Sequence, residues 1–251
     1  MEIFELKQNP KICGYFKDKV SLFRYFYIKE CEEVFYKKLL ERGWRRFGNY
    51  FFVPECGECN LCVSIRWDCE KFNFSTTQKR ILKQSSFVTL SIQKPTLSKS
   101  HLELYDKYHK IMQDKKGWEY QKISPEIYYD TFVQGFMEFG YEFLYHIEGN
   151  LVGVALVDIL QDCLSAVYCF YDHDFAKYSL GTFSILKQIE FAKTKGIKYI
   201  YPGYWIENHP SMGYKEKFKP FEVLINRPTL EEEPIWVKEQ DALYKSNFTS
   251  F

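Results

Sequence analysis

Between residues 181 and 195 the apolar side chains Phe183, Ile185, Leu186, Ile189 and Ala192 recur mostly three and four apart. That spacing predicts a helix with one buried face. Gly196 supplies a stop, and a second apolar run, 197–201, begins at once. Ahead of the helix, 164–171 is dense in strand formers and 172–178 is a polar loop. Strand, helix and strand with a short return predict a right-handed crossover between parallel strands, a unit that carries its chemistry on loops at the carboxyl ends of the strands. Those ends bear Asp172 and the run Pro202-Gly203-Tyr204-Trp205-Ile206-Glu207. Upstream, 141–147 and 151–160 flank Glu148-Gly149-Asn150 and predict an antiparallel hairpin. Helical patterns cover 20–42, ended by Gly43, and 95–117; another helix starts at Ser124-Pro125 and leads towards Phe136. A short strand is predicted over 50–53, and Ser75 begins a capped helix whose first turn holds Lys79 and Arg80. The segment after Leu224, with Pro228, Pro234 and three consecutive glutamates, reads as irregular.

A hairpin followed by a third strand, a loop, a helix and a strand is the order of an N-acetyltransferase-like mixed sheet with flanking helices. The fold class is therefore α/β, with a smaller cysteine-containing region in front; the boundary falls at 1–90 and 91–251. The loop before the helix has one glycine, Gly181, which is poor in the close-approach positions that a cofactor pyrophosphate needs. An acyl-CoA-dependent N-acetyltransferase stays open as a rival on the same sheet.

The formal charge of +1 over 251 residues rules out a polycation, so a polyanionic partner must meet a local patch. Arg45, Arg46, Arg66, Lys79 and Arg80 with Trp44 and Trp67 are the candidates; the alternative is a solvated face over two core tryptophans. No apolar run approaches the roughly 20 residues of a membrane span, and the start of the chain lacks the pattern of a secretory signal. A cytoplasmic, membrane-free protein is expected, monomeric in form. In that reducing setting the eight cysteines point to metal chemistry or to free thiols, and the spacing of Cys56, Cys59 and Cys62, with Cys13 or Cys69 as a fourth, leaves both open. Asp172, Glu190, Glu207 and Lys215, with Tyr201, Tyr204, Trp205 and Tyr214, are the groups around the strand ends that can form a site.

These residues fall into ordered motifs. Tyr168-Cys169-Phe170-Tyr171-Asp172, Ser179-Leu180-Gly181, Glu190, Tyr201-Pro202-Gly203-Tyr204-Trp205-Ile206 and Met212-Gly213-Tyr214-Lys215 resemble the C-terminal half of the arginyl-tRNA–protein transferases. Cys13-Gly14-Tyr15, Arg42-Gly43-Trp44-Arg45-Arg46, the stretch from Pro54 through Cys62, Arg66 and Ser75-Thr76-Thr77-Gln78-Lys79-Arg80 resemble the N-terminal half. The short chain is most similar to the bacterial branch. What the resemblance implies is transfer of leucine from leucyl-tRNA to proteins or peptides with N-terminal Asp or Glu, creating a degradation signal of the N-end rule; arginyl transfer by the same mechanism is the alternative. Phe16 stands where the eukaryotic branch has a second cysteine, and the adjacent cysteine pair of that branch is spaced out here. A zinc ion or iron–sulfur cluster on Cys13, Cys56, Cys59 and Cys62 is implied only through that branch.

The reaction itself requires no cofactor, because the donor is already an activated ester. Asp172 or Glu207 is expected to help remove the proton of the attacking amine, with tyrosine hydroxyls, Tyr204 foremost, as relays. Lys215 with Arg66 or Arg80 is expected to hold the acidic side chain, Tyr204, Trp205 or Tyr214 to meet the terminal adenosine, and Tyr201 to belong to the substrate-binding set. Ser179 and Gly181 join the substrate-binding set, while Arg45, Arg46 and Lys79 are expected on the tRNA acceptor stem.

Overall fold

The computed structural model describes residues 1–241, which divide into two compact units. One is built from 1–68 together with the chain from 201 onward; the other is 69–200. The boundary expected at residue 90 thus lies inside the second unit.

In the first unit, β1 (Phe4–Lys7), β4 (Phe23–Tyr27), β6 (Tyr50–Pro54) and β5 (Arg45–Phe47) form an antiparallel sheet in the order β1-β4-β6-β5, and β2 (Lys11–Ile12) pairs with β3 (Val20–Ser21). Among the described residues its one α-helix is α1 (Glu33–Glu41), which buries Tyr36, Leu39 and Leu40. The expected helix over 20–42 is therefore corrected to two strands and a short helix. The reason lies in Phe23-Arg24-Tyr25-Phe26-Tyr27: aromatic rings suit a pleated surface, and they pair across the sheet with Phe52, Phe51 and Tyr50. Phe26 stacks on Trp44, ring centroids 4.3 Å apart. The next strand is β7 (Val63–Asp68).

The second unit opens on α2 (Thr76–Gln84), closed by the expected cap: Gln78 N–H donates to Ser75 Oγ, and Ser75 N–H to Gln78 Oε1. Next come β8 (Thr89–Gln93) and α3 (Lys99–Lys116), which starts at Ser98 rather than near 95 and stops at left-handed Gly117. The helix begun at Ser124 is short: α4 (Pro125–Tyr128) passes into one wide turn that ends at Val133. The predicted hairpin is β9 (Gly140–Ile147) and β10 (Asn150–Ile159), joined by Glu148 and Gly149 at φ of 50° and 81°. Two positive φ values in a two-residue loop match the twist of the strands. After β11 (Cys163–Tyr171), residues 173–178 make a 3₁₀ turn, and α5 (Leu180–Lys195) leads to β12 (Tyr199–Tyr201) beside β11.

Alternation along β11 covers both faces of this sheet. Tyr168 and Phe170 face the ring of Tyr105 on α3, and Cys169 faces Ser184 on α5. The register slips by one residue at Val167, leaving Tyr168 opposite Leu156 and Ala166 opposite Val157.

The chain then returns to the first unit with β13 (Tyr204–Trp205) paired to β7, followed by β14 (Phe221–Ile225), also paired to β7, and β15 (Ile235–Lys238) on β14. The tail read as irregular after Leu224 therefore contains a strand; its last residues, 242–251, lie outside the described residues. Prolines 228 and 234 bracket the connection and leave the strand free of them, which the count of turn residues alone does not reveal.

Candidate functional site

In the first unit, β13 and the turn before it gather several expected residues. Gly203 has φ +85°, and the space where its side chain would begin lies 3.8 Å from Lys215 Nζ and 3.9 Å from Arg45 Nε. The Lys215 amine and the Arg45 guanidinium thus flank a stretch of backbone that carries no side chain of its own. Lys215 is only 4% exposed; its ammonium donates to the Tyr204 carbonyl and, at 3.7 Å, to Met212 Sδ. Burial, then the neighbouring Arg45 charge, pulls its pKa down to about 7, against a weaker opposing effect of Cys62. The Arg45 guanidinium lies over the Tyr201 and Tyr204 rings at 5.6 and 5.7 Å.

Tyr204 Oη donates to the Gly43 carbonyl at 3.0 Å, and burial raises its phenol pKa. Arg66 is opposite Glu222 in the β7–β14 register and pairs with it at 2.6 Å, under a 3.4 Å contact to Tyr201 Oη and over the Trp236 ring. Trp205 is buried beside Phe221, and Tyr214 is exposed. Glu207 is exposed and lines a cleft of about 450 Å³ with Trp205, Phe221 and Glu239.

The patch expected to face a polyanion is arranged otherwise. Arg45 and Arg46 are 6% and 7% exposed, with Nη1 donating to the carbonyls of Trp44 and Gly48. Trp44 and Trp67 are core residues; Trp67 Nε1 donates to the Lys215 carbonyl. Lys79 and Arg80 are exposed on α2, in the other unit.

That unit also holds Asp172, both of whose carboxylate oxygens meet Lys107 Nζ, at 2.6 and 2.8 Å; Lys107 bonds Asp174 as well. Ser179 adopts a left-handed conformation at the head of α5, and a side chain at Gly181 would come within 2.8 Å of the Tyr171 ring. This glycine admits a tyrosine. Glu190 pairs with Lys187 on the same helix.

Cys13, Cys56 and Cys59 are all near enough to Cys62 to bear on its ionisation, and burial raises the Cys62 thiol to about 12. Cys56 Sγ is engaged with the Leu22 backbone, donating to its carbonyl at 3.3 Å. Among the described residues no group of three or more His, Cys, Asp or Glu is arranged to hold a metal ion.

Two features were not singled out in the sequence. His109 Nδ1 donates to the Tyr105 carbonyl at 2.8 Å, so its Nε2 accepts from Tyr168 Oη at 2.8 Å; burial lowers its pKa. The other is a cavity of about 150 Å³ whose walls include Arg42, Gly43, Cys62, Ser64, Tyr204 and Arg227. Arg227 sits alone between Asn226 and Pro228, outside any motif, so only the fold connects it with Tyr204.

Two family models match the chain. That described as "Arginine-tRNA-protein transferase, N terminus" covers residues 11–80, and "Arginine-tRNA-protein transferase, C terminus" covers residues 100–225. A Helicobacter hepaticus protein named aspartate/glutamate leucyltransferase is 54% identical, over 94% of this chain and 98% of its own. A Campylobacter jejuni protein of the same name is 44% identical, over 90% of this chain and 95% of its own. The solved structure of L-PGS from Bacillus licheniformis superposes with TM-score 0.46 at 13% identity, over 74% of this chain and 63% of that chain, a likeness too slight to bear on the fold. Among the described residues no helix is long and apolar enough to cross a membrane. By the extent of these matches, the chain belongs to the arginine-tRNA-protein transferase family, in the bacterial branch whose members are named aspartate/glutamate leucyltransferase.

Proposed function

We propose that this chain moves leucine from leucyl-tRNA to the α-amine of proteins that begin with Asp or Glu, in the cytoplasm. The observation that carries the reading is the match to a leucyltransferase along 94% of this chain and 98% of that one, which leaves no substantial part unaccounted for. The order β9, β10, β11, α5, β12 supports an N-acetyltransferase-like sheet as the scaffold.

The reaction is aminolysis of an ester. The α-amine nitrogen bonds to the leucyl carbonyl carbon, the bond from that carbon to the ribose oxygen breaks, the amine gives up a proton, and the ribose oxygen gains one. A catalyst must align amine and ester, accept the proton, and stabilise the oxyanion. Gly203, flanked by the Lys215 amine and the Arg45 guanidinium, offers close approach beside two hydrogen-bond donors, and we assign oxyanion stabilisation to that cluster. Proton acceptance falls to a carboxylate. Glu207, exposed on its cleft, is better placed for it than Asp172, whose oxygens are both engaged by Lys107. Exposed Lys79 and Arg80 are suited to phosphate contacts, and exposed Tyr214 to stacking on the terminal adenine.

The test is transfer of labelled leucine, and in parallel arginine, from charged tRNA to peptides beginning with Asp, Glu or Ala. Leucine on Asp and Glu alone is expected. Arginine alone would reverse the donor, and transfer of neither would overturn the reading.

A further inference from the structure

We infer that the cavity beside β13 seats the acidic side chain of the acceptor's first residue, and that Arg227 is the group that reads its carboxylate. The inference rests on the leucyl-transfer reading above and adds to it a residue and a place. The cavity measures about 150 Å³, several times the roughly 30 Å³ that one water occupies, enough for the few heavy atoms of an Asp or Glu side chain. Its mouth is marked by Asn226, which is exposed, and its depth by Ser64 and Tyr204, which are buried.

The charges around it have one sign. Arg42 and Arg227 line the cavity, and no Asp or Glu does. Burial keeps the Cys62 thiol and the Tyr204 phenol in their neutral forms at neutral pH, so neither offsets the two guanidinium groups. A positive, partly desolvated recess favours an anion, and a planar fork favours a carboxylate.

The two arginines are not equivalent. Arg42 is spent on the fold: its Nε donates to the backbone carbonyl of Thr229 at 3.1 Å, Nη1 to that of Lys38 at 3.2 Å and Nη2 to that of Glu232 at 2.7 Å. Arg227 donates once, from Nη2 to the Cys59 carbonyl at 3.1 Å, and has no carboxylate partner among the described residues. That single bond fixes the guanidinium in place and leaves the rest of its fork for a ligand. Of the cations expected for this role, Arg66 pairs with Glu222, Lys215 donates to the Tyr204 carbonyl, and Arg80 belongs to the other unit. The wall cannot close on the cavity's glycine side either. At Gly43, φ +84°, a side chain would meet Ser64 Oγ at 2.8 Å and Leu224 Cδ2 at 3.1 Å.

The test is steady-state leucyl transfer by the full chain, with peptides that begin with Glu or with its uncharged isostere Gln. Wild type comes first: failure to use Glu peptides at all would reject the leucyl-transfer reading and say nothing of the cavity. Given an active wild type that prefers Glu over Gln, Arg227→Gln is expected to raise the KM for the Glu peptide about 10- to 100-fold, the range of a charge-assisted hydrogen bond. It should also erase the difference between Glu and Gln peptides while leaving the KM for leucyl-tRNA within about two-fold. Because glutamine can still donate to the Cys59 carbonyl, a purely structural role for Arg227 would be rescued by it; recovery by Arg227→Lys but not by Arg227→Gln identifies the charge. Thermal melts matched to wild type exclude a folding defect, and should Arg227→Gln not fold, loss of preference is read in the equally uncharged Arg227→Met. An unchanged Glu-over-Gln preference in the uncharged variant, or a loss that falls on leucyl-tRNA instead, as a phosphate site would give, overturns the assignment.

Discussion

Lys215 holds an ammonium in a place almost without water. Its pKa of about 7 lies far below the ordinary lysine value of 10.5, with burial as the first cause and Arg45 the second. The sign of the pH dependence follows. Below pH 7 the folded and unfolded chains both carry the proton, and the full cost of burying the charge is present. Between 7 and 10.5 the unfolded chain binds the proton and the folded chain does not, so this residue's penalty shrinks as pH rises. From pH 6 to pH 9 the wild type should therefore gain roughly 3 kcal/mol relative to Lys215→Met, which has nothing to titrate there. Urea melts of both proteins at the two pH values measure it; parallel curves would mean that the ammonium is not buried. The lysine itself was legible as part of Met212-Gly213-Tyr214-Lys215, but its burial was not. Nothing in the sequence says that Trp67 Nε1 takes the Lys215 carbonyl and fixes that turn. Arg227 was not legible at all, since a single arginine between a turn residue and a proline has no pattern until the cavity is drawn.

At the scale of elements, local chemistry was read well wherever it decides the outcome. Ser75 and Gln78 satisfy each other's backbone N–H groups at the start of α2, as their spacing implies. Ser75→Ala should cost about 1 kcal/mol in a denaturant melt, and Ser75→Asp, which keeps an acceptor, very little. A cost shared equally by the two would mean that the cap does not stabilise this helix. The hairpin and α5 were legible for similar reasons, a two-residue turn in one case and a one-faced apolar repeat in the other. The stretch 20–42 was misread because apolar residues three and four apart also occur in a strand dense with aromatics. There the partners in β1 and β6 decide, and they are distant in sequence. The last strand, β15, was missed because its residues are few and its surroundings are rich in proline and glutamate.

At the scale of the molecule, the resemblance of ordered motifs carried the family and the reaction, whereas composition carried neither. The division into units was hidden from the sequence because one of them is discontinuous: strand β7 from the first part pairs with β13 and β14 from the last part. A chain ended after residue 200 should keep 69–200 resistant to limited proteolysis and lose that resistance in 1–68, where Ile65 and Trp67 would be uncovered. Equal resistance of the two segments would show that 1–68 needs no C-terminal partner. Synthesis imposes the same condition on every new molecule. At about 5–20 residues per second, the ribosome needs on the order of ten seconds to make 69–200. Throughout that interval the nascent β7, with its apolar Ile65 and Trp67, waits outside the exit tunnel for strands not yet translated, a window in which chaperone capture competes with aggregation.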